Sequence, residues 1–250
     1  MGKYYKYKNL EENRFQEFDK SDILSGPLHI AIDITNKCNA KCLHCFNRSG
    51  NELLRNEISD REMLEIFKEI AVIKPFSTCF CGGEPMMEYD LVLRATEVLK
   101  NGGVPNIAMV TNGWFLTKDR VISLRNAGLI VVDWSDPLDH LRRFTTLNFK
   151  NNIFSEIKSD GNLTASAYIP VTVGNLKRHS LKDYWKAGLG KVWDIPVIRE
   201  LAEFVVCIED MKYDLQELPK IFYEDNIEID LVDDDIMHHL EEFTLEKLYK

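Results

Sequence analysis

A chain of 250 residues, 45% hydrophobic and 28% charged, has room for one α/β domain, alone or with a small appendage, around a real core. It has no run of about 18 apolar residues, which excludes a membrane-spanning helix. The net charge of −9 is uneven: residues 200–250 hold 16 Asp/Glu against 4 Lys, the preceding 199 residues stand near +3, and neither part has the basic footprint that wholesale nucleic-acid binding needs.

The acidic end reads as a solvated face, or as a docking face for a basic partner such as a Lys/Arg-bearing peptide. Residues 1–8 are rich in Lys and Tyr and lack an apolar signal core. Six cysteines, three of them clustered, fit a reducing compartment better than a disulfide framework. The expected location is the cytoplasm.

Residues 1–27 are an extension with no clear period. An alternating apolar run over 28–34 predicts a strand, and it leads into Cys38, Cys42 and Cys45 in a C-x3-C-x2-C pattern. Three thiolates on one loop can hold three irons of a 4Fe–4S cluster and leave the fourth iron open. The alternative is three ligands of a structural zinc, with His44 or a distant cysteine as the fourth, although zinc sites more often come as paired C-x2-C units. Ser59 and Glu62 form an S-x-x-E capping box, and Met63, Ile66, Phe67, Ile70 and Ile73 follow at helical spacing.

A second strand is expected over 76–81. It runs into Gly82-Gly83-Glu84-Pro85, where two glycines let a backbone approach a ligand and a carboxylate can accept from an ammonium group. Cys79 and Cys81 alternate on this strand. They read as small buried residues, or, for Cys81, as a thiol able to return a hydrogen atom to a substrate radical. A helix over 89–100 stops at Asn101-Gly102-Gly103. A strand over 106–110 then leads to Thr111-Asn112-Gly113, Thr117 caps another helix, and a fourth strand spans 129–134.

Together, the cysteine loop, the G-G-E-P after strand two and the T-N-G after strand three resemble the radical S-adenosylmethionine (radical SAM) enzymes. The resemblance implies that Cys38, Cys42 and Cys45 hold a 4Fe–4S cluster, with His44 at the position that is usually aromatic. It gives Gly82, Gly83 and Glu84 the methionine amino group of S-adenosylmethionine, and adds Thr111 and Asn112 as a weaker match. The segment from Asp133 through Ser135 to Arg142 is similar to a family segment whose polar residues contact the ribose or carboxylate. Asp133 and Ser135 are candidates there, with Arg142 or Arg143 for the carboxylate; a helix cap at Ser135 or Asp136 with exposed arginines explains the same residues.

The chain then departs from the family. Six strand–helix units are usual, yet after Arg143 there is no room for the fifth and sixth, and the G-x-I-x-G motif that supports adenine is not visible. Instead, Asp160-Gly161 signals a hairpin, and Ser180 with Asp183 caps a short helix. This stretch resembles the start of a SPASM-type domain, but no cysteine lies between Cys81 and Cys207, so its auxiliary clusters are not expected. Beyond it the patterns predict a helix to about 204, a strand over 227–232 and a last amphipathic helix carrying Ile236, Leu240, Phe243 and Leu248. His238 and His239 are expected at the surface.

The expected architecture is α/β: a truncated, partial barrel of parallel strands over 28–147, followed by a small α+β region over 148–250. Active loops then lie at the carboxyl ends of the strands. The implied chemistry uses one 4Fe–4S cluster and S-adenosylmethionine to abstract hydrogen from a substrate, most simply a ribosomally made peptide. The alternatives are small-molecule or cofactor biosynthesis on the same core, and a non-enzymatic iron–sulfur or zinc protein. Implied partners are a peptide or protein substrate and an electron donor such as a flavodoxin or ferredoxin, with no nucleic acid and no membrane.

Overall fold

A computed structural model describes residues 26–42, 45, 47, 49–50, 56–134, 154–166, 169, 171–204 and 227–248. Strand β1 (His29–Asp33) lies inside one open sheet, eight-stranded among the described residues. On one side follow β2 (Ser77–Cys81), β3 (Asn106–Thr111) and β4 (Val131–Trp134), each parallel to its neighbour. On the other side β5 (Phe154–Ile157) is parallel to β1. Antiparallel β6 (Asn162–Thr164) and β7 (Val171–Asn175) extend the sheet, and two-residue β8 (Ile227–Glu228) ends it, parallel to β7.

Parallel neighbours need crossovers, and helices α1 (Asp60–Ile73), α2 (Tyr89–Asn101) and α3 (Lys118–Ala127) supply them. The expected capping box holds α1: the Glu62 backbone N–H donates to Ser59 Oγ at 3.3 Å, and the Ser59 N–H donates to the Glu62 carboxylate at 2.8 Å. Lys74 ends the helix in the left-handed conformation, and Pro75 prevents its continuation. Strand alternation then divides the sheet. Ile30, Ile32, Phe80, Ile107 and Met109 join the core with Met63, Phe67 and Ile70 of α1 and Leu91, Val92 and Leu99 of α2. Phe67 meets Phe80 edge-on at 5.5 Å.

The opposite face differs. One register row across it runs Glu156–Ala31–Cys79–Ala108–Val131. Its middle positions are small, and the next positions on β1 and β2, Asp33 and Cys81, are polar.

The sequence leaves no room for fifth and sixth strand–helix units, and β5 is not one. It sits across β1 from β4 and turns at Lys158–Gly161 straight into β6. Beyond it are α4 (Leu181–Lys186), capped by Ser180, and α5 (Pro196–Phe204). A Cβ on Gly174 would lie 2.2 Å from the Tyr184 ring, so only glycine lets that buried ring cross β7.

Two expectations near the end are corrected. The strand over 227–232 stops at Glu228, because Asp230 Oδ1 accepts from the N–H groups of Val232 and Asp233 at 3.0 and 3.2 Å and turns the chain. The long last helix is instead two 3-10 turns, Ile236–His238 and Leu240–Glu242, and a four-residue α6 (Leu245–Leu248). Its gaps are used by α5: Val197 N–H donates to the Phe243 carbonyl at 2.8 Å, and Leu245 N–H to Glu200 at 2.6 Å. No helix of the described residues is long and apolar enough to cross a membrane.

Both rings of the Phe67–Phe80 pair are fully buried. Replacing Phe67 with Ala is expected to cost about 3–5 kcal/mol of stability in a denaturant titration, from lost transfer energy plus the cavity left behind.

Candidate cluster and nucleoside site

The cysteine loop begins where β1 ends and is closed at its base by Asn36. The Asn36 carbonyl accepts from Gly50 N–H at 2.9 Å, and its side-chain Oδ1 accepts from Ser49 Oγ at 3.1 Å. Gly50 has φ +75°, and a Cβ there would lie 2.8 Å from the Cys38 carbonyl, so the closure needs glycine. Glu57 holds the stem from below: its carboxylate accepts from Thr35 Oγ1 at 2.9 Å and from Asn36 N–H.

Cys38 and Cys45 are half-buried and Cys42 is exposed. Two of the sulfurs already accept backbone hydrogen bonds, Cys38 Sγ from Ala40 N–H and Cys45 Sγ from Ser49 N–H, each at 3.4 Å. Burial pushes the Cys38 thiol up, the Ala40 N–H opposes it, and Cys45, Glu84 and Cys42 add to the rise. A bound cation reverses that balance and takes the thiolate outright.

The glycine motif serves the loop first. Gly83 N–H donates to the Thr35 carbonyl at 2.7 Å and Glu84 N–H to the Lys37 carbonyl at 2.8 Å. A Cβ on Gly82 would lie 2.4 Å from the Thr35 oxygen, and one on Gly83 2.1 Å from the Lys37 oxygen. The close backbone approach expected at a ligand is therefore made to the stem of the cysteine loop.

Glu84, expected to face an ammonium group, is fully buried. Its carboxylate accepts from Thr111 Oγ1 at 2.6 Å, Asn112 N–H at 2.7 Å and Met86 N–H at 2.9 Å. Asn112 in turn donates from Nδ2 to Asn39 Oδ1 at 2.9 Å, with Cys38 Sγ at 4.0 Å from the same nitrogen. The three motifs are thus chained together, glycines to cysteine loop, Glu84 to Thr111–Asn112, and Asn112 back to the loop.

Of the remaining candidates, Asp133 lies on β4 opposite Val110 in the register. His44, Ser135, Arg142 and Arg143 lie outside the described residues, as does Cys207. Cys81 Sγ is 3.6 Å from Cys79 Sγ. Its thiol is held well above the usual range by the Cys79 contact first, then by burial and the negative charges of Asp33 and Glu156. His238 is exposed and pairs with Asp235, as a surface residue does.

Sequence reasoning missed one buried group of polar residues beside this site, Asp33, Asn47, Glu156 and Lys158. A signal existed in Asp33, a carboxylate inside the otherwise apolar run Ile30–Ile34.

The site is a thiol loop at the carboxyl end of a parallel strand, the arrangement of an iron–sulfur protein of the α/β class. Cys38, Cys42 and Cys45 on one loop can each take a different iron of a 4Fe–4S cluster, and the backbone hydrogen bonds that Cys38 and Cys45 already accept suit thiolate ligands.

Residues 32–149 match the model of the Radical SAM superfamily, and this stretch holds the cysteine loop, the glycine motif and Thr111-Asn112-Gly113. The family implies a 4Fe–4S cluster and S-adenosylmethionine as cofactors. Curated relatives include the GTP 3',8-cyclase of Limosilactobacillus fermentum, 27% identical over 137 residues, which are 54% of this chain and 38% of the relative. That of Aquifex aeolicus is 36% identical over 115 residues, 43% of this chain and 35% of the relative. The chain thus spans about two fifths of the length of the curated relatives it matches. Among solved structures, BtrN in an open conformation has a TM-score of 0.50 at 18% identity, over 69% of this chain and 85% of BtrN. Streptococcus suis SuiB bound to S-adenosylmethionine has a TM-score of 0.50 at 15% identity, over 92% of this chain and 87% of SuiB. Both likenesses are of fold.

Gly83→Ala tests the chain of motifs. The added Cβ cannot fit against Lys37. Overpacking of this kind costs about 1–3 kcal/mol. The variant is expected to keep its far-ultraviolet circular dichroism while retaining clearly less iron and sulfide after reconstitution. Equal retention would show that the loop does not depend on the glycine contact.

Proposed function

We propose that this protein is a radical SAM enzyme that abstracts hydrogen from a ribosomally made peptide. The observation that carries the enzymatic reading is the three-thiol loop, fastened at its stem to the glycine motif, which offers a cluster three protein ligands. When bound there, a 4Fe–4S cluster with S-adenosylmethionine supplies reductive cleavage of the sulfonium and a carbon radical able to take hydrogen from an unactivated C–H bond. The chain's own residues bind and orient. Cys38, Cys42 and Cys45 would hold the cluster, Gly82 and Gly83 fasten the stem of their loop, and the same glycine motif would serve the methionine amino group. Glu84 keeps Thr111 and Asn112 in place against Cys38, and Asp133, Ser135 and Arg142 serve the ribose and carboxylate.

The peptide substrate is supported by the hairpin at Asp160–Gly161 and the Ser180-capped helix, the features that resemble a SPASM-type segment. A small-molecule substrate is the second reading, favoured by the curated relatives named GTP 3',8-cyclase. An electron carrier such as a flavodoxin or ferredoxin would supply reducing equivalents, and the acidic residues 233–235 suit a basic leader on the peptide.

Cys81 is assigned as the hydrogen-atom donor that completes the turnover. Its S–H bond breaks as a C–H bond forms on the substrate radical. The sulfur radical left behind regains an electron from the carrier and a proton from solvent. The place of Cys81 at the carboxyl end of β2, directly before the glycine motif, supports this role.

In deuterium oxide, the wild-type product is expected to carry one deuterium at the reacting carbon. Cys81→Ala is expected to go on forming 5′-deoxyadenosine while losing that label. An unchanged label in the variant removes Cys81 from the reaction. Candidate peptides and guanosine triphosphate, compared for stimulation of 5′-deoxyadenosine formation, separate the two substrate readings.

A further inference from the structure

Asp33 ends β1 with 2% exposure, directly before the cysteine loop. Its Oδ2 accepts from Asn47 Nδ2 at 3.0 Å and lies 3.1 Å from Lys158 Nζ. Lys158, 5% exposed, sits just past β5 and also pairs with Glu156 Oε1 at 2.8 Å. The same ammonium reaches Asn47 Oδ1 at 3.4 Å. Both ends of the Asn47 amide are thereby addressed by one ion pair. Asn47 is two residues from Cys45 on one side and two from Ser49 on the other, and Ser49 N–H donates to Cys45 Sγ.

Two carboxylates around one ammonium carry a net charge of −1 inside the protein. Burying such a set costs desolvation that apolar residues of similar volume would avoid, so holding β1 against β5 does not explain it. What the ions do that apolar residues cannot is grip a polar side chain on the loop. They also place a positive charge beside the loop, and a buried charge is weakly screened.

We propose that Lys158 is a positioning residue for the cluster loop. Through Asn47 and Asp33 it holds the Cys45 end of the loop in its ligating shape, and its charge raises the reduction potential of the cluster held there. The hairpin beyond β5 thereby controls the site from the opposite side of β1. The second half of the proposal rests on the cluster reading above; the first half does not.

Three variants separate tether from charge. Lys158→Met removes both. Lys158→Met with Glu156→Gln removes the tether but restores the net charge of −1, and relieves the two carboxylates should the single variant fold poorly. Asn47→Leu leaves all three ions and cuts only the link to the loop.

In the apoprotein, brief alkylation with iodoacetamide followed by peptide mass spectrometry reads the exposure of Cys45 against Cys79. All three variants are expected to label Cys45 about tenfold faster than wild type, the factor that loss of a charge-assisted hydrogen bond makes, with Cys79 unchanged. Wild-type rates in the double variant and in Asn47→Leu overturn the tether.

In the reconstituted protein, the cluster midpoint potential is expected to fall in Lys158→Met and to return toward wild type in the double variant. An unchanged potential in Lys158→Met overturns the charge effect. Should wild type bind no cluster at all, the enzymatic reading and the charge effect both fall, while the labelling rates still decide the tether.

Discussion

The site depends on a backbone contact rather than on a side chain. Gly83 N–H meets the Thr35 carbonyl at 2.7 Å, and Glu84 N–H meets the Lys37 carbonyl at 2.8 Å. The approach is possible because positions 82 and 83 carry no Cβ, and it fastens the turn after β2 to the stem of the cysteine loop after β1. Parallel pairing of β1 with β2 brings the two turns to the same end of the sheet. Glu84 extends the contact to β3 by accepting from Thr111 and Asn112. The turns after β1, β2 and β3 are thereby hydrogen-bonded to one another at one end of the sheet.

The two faces of the sheet divide the work. Ile30, Ile32, Phe80 and Met109 lie in the apolar core with α1 and α2. The other face keeps small residues at Ala31, Cys79 and Ala108 and concentrates polar groups near the strand ends at Asp33, Cys81, Glu156 and Lys158.

Much of this was legible in the sequence because it is local. The capping box at Ser59–Glu62, the stop at Gly102–Gly103 and the hairpin at Asp160–Gly161 are each decided by neighbouring residues, and each stands where its pattern put it. The cysteine loop and the two glycines were legible as motifs, though not in their contact with each other, because nothing local says that Gly83 touches Lys37. Asp33 and Lys158 are 125 positions apart and meet only because β5 returns to β1, which no periodicity records. The end of the chain misled for the opposite reason. Ile236, Leu240 and Phe243 keep a helical spacing, yet Asp235 in the left-handed conformation and the bonds to α5 break it into turns.

The central claim is that the three thiols hold a cluster with one iron free for S-adenosylmethionine. Electron paramagnetic resonance of the anaerobically reconstituted, dithionite-reduced protein tests it most directly, with and without S-adenosylmethionine and with Cys42→Ala alongside. The account predicts a single reduced 4Fe–4S signal in the wild type, a change in its shape when S-adenosylmethionine is added, and its loss in the variant. One zinc per chain with no such signal, or a cluster signal indifferent to S-adenosylmethionine, would contradict it.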